Sequence, residues 1–216
     1  MPQKASHIER PPKPPPKEHH LTREQMDALV EAATMPDLRL FIVLAYATGA
    51  RSAALLGLTW QRCDFAAGMI DLRDPTMTLP HKGRAIVPMS ESVKDLLSEA
   101  RDGALSEYVI EWGGERVASV KRGLAATAKR AGVDHVSPHM LRHTAAVHMA
   151  ESGISMEEIA QYLGHDDVET TRRVYARFSP TYLRNAASAL ELPAVSRAKG
   201  SLNQGHYVNR LSSPEM

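Results

Sequence analysis

"SPHMLRHT", Ser137 to Thr144, decides how this sequence is read. Ser137 suits a helix N-cap, Pro138 suits the first helical position, and an apolar-periodic run follows, so a helix is predicted over Pro138–Ser152. A helix N-terminus carries partial positive charge and normally attracts Asp or Glu into its first turn. This one holds His139, Arg142 and His143 and no carboxylate. At about 100° per residue, those three share a face with Ala146 and Ala150, while Leu141, Ala145, Met149 and Ser152 lie opposite, toward the core. Small alanines beside a cationic face leave room for a ligand, and the ligand such a helix end favours is an anion such as phosphate. A plain solvated face weighs about equally on these residues alone. A zinc site is disfavoured, because His139 and His143 stand at i and i+4 but Met140 occupies the place where a metalloprotease helix needs Glu.

Downstream, "LGHDDVETTRRVY" (Leu163 to Tyr175) ends one helix at Gly164, supplies His165, and carries Tyr175 late in the next helix. Taken singly, His165 is a structural loop histidine and Tyr175 a packing residue. Helices are predicted at Met156–Leu163, where Ser155 and Glu158 suit a capping box, at Val168–Phe178, and at Pro180–Glu191.

Upstream, Thr22 and Gln25 form a second capping box before a helix reaching about Thr34. Leu38–Thr48 follows, closed by Gly49, and a short helix starts at Arg51. Strands are predicted at Gly68–Leu72, Met77–Pro80 and Ala85–Met89, the last two flanking the turn His81–Arg84. A helix at about Glu91–Arg101, an apolar stretch Tyr108–Trp112 before Gly113-Gly114, and a helix at about Ala118–Ala131 complete the chain. The fold class is mainly α with a small antiparallel sheet (α+β). Residues 1–20, with "PPKPPPK" at Pro11–Lys17, read as a Pro-rich linker or tail. Residues 21–191 read as one domain, and 192–216 as a polar C-terminal tail.

The 216 residues are 43 % hydrophobic and 24 % charged, ordinary for a globular chain, with only 5 % aromatics. A single cysteine, Cys63, excludes an internal disulfide framework and a cysteine-rich zinc module. A reducing, cytoplasmic setting fits, and neither a signal peptide nor a membrane span is visible. The net charge of +1 gives no global argument for nucleic acid, so any such claim rests on local sites.

Together the motifs resemble the tyrosine recombinases, or phage integrases: His139 and Arg142 as H-x-x-R, His165 after Leu-Gly, and Tyr175 ten residues later. "TGARSAALLGLTW" (Thr48–Trp60) resembles the family's first arginine box, with Arg51 as its arginine, and "HKGRAIVPM" resembles its β-hairpin lysine, with Lys82 in the turn. The resemblance covers about residues 21–191. It departs at Ala54, where the family commonly has an acid, and in the short turn around Lys82, where Lys121 and Arg84 are cations open to confusion with Lys82.

The resemblance implies a site-specific recombinase of a phage or mobile element, with a tyrosine-recombinase catalytic-domain architecture. It cleaves and rejoins DNA through a 3′-phosphotyrosine, without metal, ATP or other cofactor. Arg51 and Arg142 suit the non-bridging phosphate oxygens. Tyr175 is the nucleophile, His139 the general base, His165 a donor to phosphate, and Lys82 the general acid for the leaving 5′-oxygen. The expected partners are double-stranded DNA and further copies of the chain, a tetramer on DNA built through the C-terminal helix, with no membrane. The family's usual N-terminal clamping domain is matched here only by the Pro-rich lead-in, which fits an excised domain and a shorter protein alike. "RVASVKRGLAATAKR" (Arg116–Arg130) has five cations and no acid, so Lys121, Arg122, Lys129 and Arg130 are candidates for DNA phosphates. Lys129 and Arg130 equally suit the helix C-terminus. The rivals are an inactive DNA-binding relative, motivated by Ala54, and a type IB topoisomerase.

Overall fold

The computed structural model describes residues 19–73 and 85–190. Thr22 Oγ1 accepts from the Gln25 N–H at 3.2 Å and Gln25 Oε1 from the Thr22 N–H at 2.9 Å, so the predicted box starts α1 (Arg23–Glu31). This helix ends short of Thr34. Pro36 disfavours a helical Met35, which is extended (φ −96°, ψ 126°), and Pro36 itself opens α2 (Pro36–Thr48) two residues before the expected Leu38. Gly49 closes α2 at φ +60°. A side chain there would be strained, and its Cβ would stand 2.5 Å from Leu163 Cδ2. Arg51 is the N-cap of α3 (Ser52–Leu56).

A three-stranded antiparallel sheet follows in the order β1 (Cys63–Asp64), β2 (Met69–Asp71), β3 (Ile86–Pro88). Its register pairs Cys63 with Ile70 and Ile70 with Val87, and this buried row faces the core. The strand expected at Met77–Pro80 and the turn His81–Arg84, with Lys82, lie outside the described residues. After α4 (Glu91–Asp102) comes a small hairpin of β4 (Glu111–Trp112) and β5 (Glu115–Arg116). It turns on Gly113 and Gly114, both at positive φ, as a two-residue hairpin requires.

The remaining helices are α5 (Lys121–Arg130), α6 (Pro138–Glu151), α7 (Met156–Leu163), α8 (Val168–Tyr175) and α9 (Arg184–Ala189). The expected helix to Phe178 breaks after Tyr175 into a 3₁₀ turn, Ala176–Phe178. The expected last helix, Pro180–Glu191, is shorter because Leu183 adopts φ +58°, which a right-handed helix cannot include.

The core centres on α2, whose Leu38, Leu40, Phe41, Ile42, Leu44 and Ala45 are buried around its circumference. α6 lies along it. The expectation of an open alanine face on α6 fails: Ala146 and Ala150 are fully buried, under a second cluster formed with Ile159, Leu163 and Tyr175. The α7–α8 pair folds back over that face, so only the first turns of α6 border open space. Among the described residues, no helix is long and apolar enough to cross a membrane.

Candidate active site

Ser137 Oγ accepts from the Met140 N–H at 3.2 Å and fixes the start of α6 as read from the sequence. One turn in, Arg142 is 4 % exposed. Its Nη1 donates to the Gly49 carbonyl at 2.7 Å and its Nη2 to the Leu163 carbonyl at 3.0 Å. One guanidinium thus ties together the C-terminal ends of α2 and α7, where carbonyls lack helical partners. Burial, with the nearby Arg51 charge, pulls Arg142 down to about 10, so it stays a cation at neutral pH. A planar fork retains further N–H groups for an anion in the cavity.

His165 follows the left-handed Gly164 that closes α7, and its N–H donates to the Ala160 carbonyl at 2.8 Å. Its Nδ1 pairs with Thr171 Oγ1 at 2.7 Å, across the turn into α8. Burial and the charges of Arg142 and Arg51 bring it down to about 4, so the ring is neutral at pH 7.

Tyr175, the last residue of α8, is 7 % exposed, and burial raises its phenol above the ordinary 10.0 against the opposing pull of Arg142. Its hydroxyl lies 3.4 Å from Nδ1 of His143, with ring centroids 5.4 Å apart. His143 is held below its usual value by burial and by His20, His139 and Arg177.

A cavity of about 810 Å³ is lined by Arg51, His139, Arg142, His143, His165 and Tyr175, among others. Five of the six expected catalytic residues therefore meet in one place, from three separate stretches of sequence, and Lys82 lies outside the described residues. The cavity also takes in His19 and His20, the end of the stretch read as a linker. His20 stacks edge-on against Phe178 at 5.5 Å, and the next N–H, of Leu21, donates to Thr144 Oγ1 on α6 at 3.0 Å.

Two neighbours of the expected site went unassigned in the sequence. His143 was legible as a face-mate of His139 and Arg142, but nothing in the spacing gave it Tyr175 as partner. Thr171 carried no signal. Lys121, Arg122, Lys129 and Arg130 are exposed on α5 and do not line the cavity. Arg130 donates through Nε to the Ala32 carbonyl at 3.0 Å and through Nη2 to Thr127 at 2.8 Å, which docks α5 on the end of α1. Tyr162, another tyrosine close in sequence, spends its hydroxyl on the Ala47 carbonyl at 2.7 Å. Among the described residues, no group of three or more His, Cys, Asp or Glu side chains is placed to hold a metal.

A profile of the phage integrase family matches residues 19–181, three quarters of the sequence, and the chain belongs to that family. It is similar to the tyrosine recombinase XerC of Corynebacterium glutamicum, at 33 % identity over 151 residues, covering 66 % of this chain and 47 % of that protein. It is also similar to the tyrosine recombinase XerA of Pyrococcus furiosus, at 29 % identity over 184 residues, covering 80 % of this chain and 62 % of that one. The chain thus spans about half to two thirds of the length of these relatives. Its fold matches the crystal structure of a XerA recombinase (TM-score 0.64, 23 % identity, 92 % of this chain and 68 % of the other). It also matches the catalytic domain of bacteriophage HP1 integrase (TM-score 0.58, 24 % identity, 78 % and 93 %). The architecture is that of a tyrosine-recombinase catalytic domain.

Proposed function

We propose that this chain is the catalytic domain of a site-specific DNA recombinase that cleaves and rejoins strands through a 3′-phosphotyrosine at Tyr175. The observation that carries the reading is the convergence of Tyr175 with Arg142, His165, His139 and Arg51 on one cavity at the acid-free N-terminus of α6. A phosphodiester transition state gathers charge on the non-bridging oxygens, and preorganised donors lower its energy. Arg142 enters already fixed by its two carbonyls, and Arg51 faces it from the start of α3. With a neutral ring, a Thr171 hydroxyl donating to Nδ1 leaves the His165 proton on Nε2, a donor suited to a third oxygen contact. His139 stands on the same first turns, at the positive helix end. Lys82 is the proposed acid for the leaving 5′-oxygen. The phosphotyrosine retains the energy of the broken phosphodiester, so a 5′-hydroxyl can reseal the strand without ATP.

Double-stranded DNA is the proposed partner. One solved relative of the same fold is the Tn1549 transposon integrase in complex with circular intermediate DNA (TM-score 0.65, 19 % identity, 81 % of this chain and 68 % of that one), which supports it. The proposed assembly on DNA is a tetramer built through the C-terminal segment. Leu183, at 65 % exposed, and Leu190, at 80 %, leave apolar surface there for a second copy.

The test is a covalent trap. The protein is incubated with a pool of nicked duplexes carrying a randomised core, adducts are isolated under denaturing conditions, and the attached DNA is sequenced. A Tyr175-linked peptide bearing a nucleotide is the expected product. No adduct from any pool, under conditions where the protein remains folded, rejects the function.

A further inference from the structure

We propose that His20 is a positioning residue for the nucleophile: from the segment ahead of α1, its ring braces Phe178 and His143 and so fixes the turn that carries Tyr175. The inference rests on the phosphotyrosine reading above and adds to it a stretch of chain that takes no part in the chemistry itself.

It begins from how loosely the tyrosine is held. α8 ends at Tyr175, and the chain continues as a 3₁₀ turn, Ala176–Phe178, toward an exposed short helix. Among the described residues, the Tyr175 hydroxyl has one hydrogen-bond partner, His143 Nδ1 at 3.4 Å. Its ring otherwise rests on packing, in a cluster with Ala146, Ala150, Ile159 and Leu163 against which Phe178 also packs. Misplacing a reacting group by about 1 Å can cost ~10²-fold in rate, so contacts that steady this turn bear directly on the chemistry.

His20 reaches the turn from the other end of the sequence. The next residue, Leu21, is 3 % exposed, and its N–H donates to Thr144 Oγ1 at 3.0 Å. Thr144 is fully buried on α6, two residues past Arg142, so the segment is pinned to the helix that carries the arginine. From that anchor the His20 ring meets Phe178 edge-on, with centroids 5.5 Å apart and planes at 78°. It adjoins His143 at 6.5 Å and 64°, and His143 in turn lies against the Tyr175 ring at 5.4 Å. One imidazole therefore borders both neighbours of the nucleophile, the one three residues along the chain and the one that bonds its hydroxyl.

Edge-on ring pairs at such separations are favourable and directional, so a ring at position 20 sets an angle that an aliphatic side chain would leave free. The brace is also tied from behind. His20 Nε2 lies 3.9 Å from Glu151 Oε1, at the end of α6, which gives the segment a second footing on that helix. Its ring stands edge-on to His148 at 6.2 Å, and His148 is held through Nδ1 by the Tyr46 hydroxyl at 2.8 Å. Phe178 is held by a cation as well as by the imidazole, since the Arg177 guanidinium lies over its ring at 4.9 Å. In this role His20 neither takes a proton nor touches phosphate. The position needs a flat ring, and phenylalanine supplies one.

The test measures single-turnover adduct formation at saturating protein, beside binding affinity by fluorescence anisotropy, on a duplex recovered from the covalent trap. The variants are His20→Ala, His20→Gln, His20→Phe, Phe178→Ala and the double variant of His20→Ala with Phe178→Ala. His20→Ala and His20→Gln are expected to slow the step by roughly 10- to 10²-fold and to leave affinity unchanged. His20→Phe should recover most of the rate. The double variant should lose much less than the product of the two single losses, because one side chain acts through the other. A general loss of stability would multiply the losses and would not be repaired by the ring. His20→Ala at the wild-type rate, His20→Phe as slow as His20→Ala, or losses that multiply each overturn the proposal. If wild type forms no adduct, the proposed function fails, and the brace is then judged without DNA by hydrogen exchange. Faster exchange over residues 174–179 in His20→Gln but not in His20→Phe, with α2 unchanged, upholds it. Equal exchange there in both variants and wild type overturns it.

Discussion

Arg142 and Tyr175 border the same cavity, but they are held differently. Arg142 is locked by two carbonyls from two helix ends, at 2.7 and 3.0 Å. Among the described residues the Tyr175 hydroxyl has one hydrogen-bond partner, at 3.4 Å, and its helix stops at that residue, giving way to a 3₁₀ turn and an exposed short helix. The half proposed to bind phosphate is part of the fold, so its geometry exists before any ligand arrives and, on that proposal, costs no reorganisation in the transition state. The half that holds Tyr175, the proposed nucleophile, rests on packing and one long hydrogen bond, so the side chain can turn toward the cavity without unmaking the core. Breaking each half should therefore give a different signature.

The largest effect is expected at the tyrosine. Tyr175→Phe keeps the ring in its pocket with Ala146, Ala150 and Ile159. It should abolish the covalent adduct altogether while leaving the thermal midpoint close to wild type, as read by denaturing electrophoresis and calorimetry. Adduct at the wild-type level would place the nucleophile elsewhere.

Arg142 should show the opposite pattern, with activity and stability falling together. Arg142→Ala removes a transition-state donor, worth about 10²–10³-fold in rate. It also leaves two buried carbonyls without donors, at about 1–3 kcal/mol each. Arg142→Lys should recover part of the stability and little of the rate, because an ammonium cannot grip both carbonyls and still present a fork. Chemical denaturation beside single-turnover kinetics separates the two effects, and a full-rate Arg142→Lys would sink the argument.

This double role marks where the sequence stopped being informative. The motif placed Arg142 on the face that borders the cavity, and the caps at Thr22, Ser137 and Ser155 were local signals that the structure keeps. Local chemistry could not reveal that the carbonyls of Gly49 and Leu163, 93 and 21 residues away, meet on that guanidinium. The same blindness gave Ala146 and Ala150 to an open face, since the helix pair that covers them begins after α6 has ended. The reading of residues 1–20 as a linker missed His20 because a lone histidine after a proline-rich run has no period to read. Leu183 was read into a helix because leucine favours one and its left-handed backbone leaves no trace in composition.

A smaller, pH-dependent effect is expected on the arginine side. His165 titrates near 4 in the folded protein against an ordinary 6.5, with burial as the chief cause and Arg142 next. A depressed folded value means that the unfolded chain takes up a proton first as pH falls. Stability should therefore be intact above about 6.5 and decline steadily toward 4. His165→Gln should flatten that part of the melting-temperature profile. An unchanged slope would mean that another group governs acid sensitivity, with His143 the next to examine because it is shifted in the same direction.

The smallest effect belongs to α5, which lies outside both halves of the site. Arg122 and Lys129 are exposed, one helical face holds them both, and the cavity wall includes neither. Their proposed part is to neutralise DNA phosphates at a distance from the chemistry. Removing one phosphate-neutralising cation should reduce the log–log dependence of affinity on salt by about 1. Arg122→Gln with Lys129→Gln should thus lower the slope by up to ~2 while leaving the single-turnover rate at saturating protein unchanged. Arg130 is the internal control. Its guanidinium is already committed to Ala32 and Thr127, so Arg130→Gln should lower the melting temperature more than the salt slope. A salt titration of affinity for a duplex recovered from the covalent trap makes the comparison. If the double variant keeps the wild-type slope, this helix faces away from DNA, and the positively charged end of α6, with Arg51 beside it, carries the backbone contacts alone.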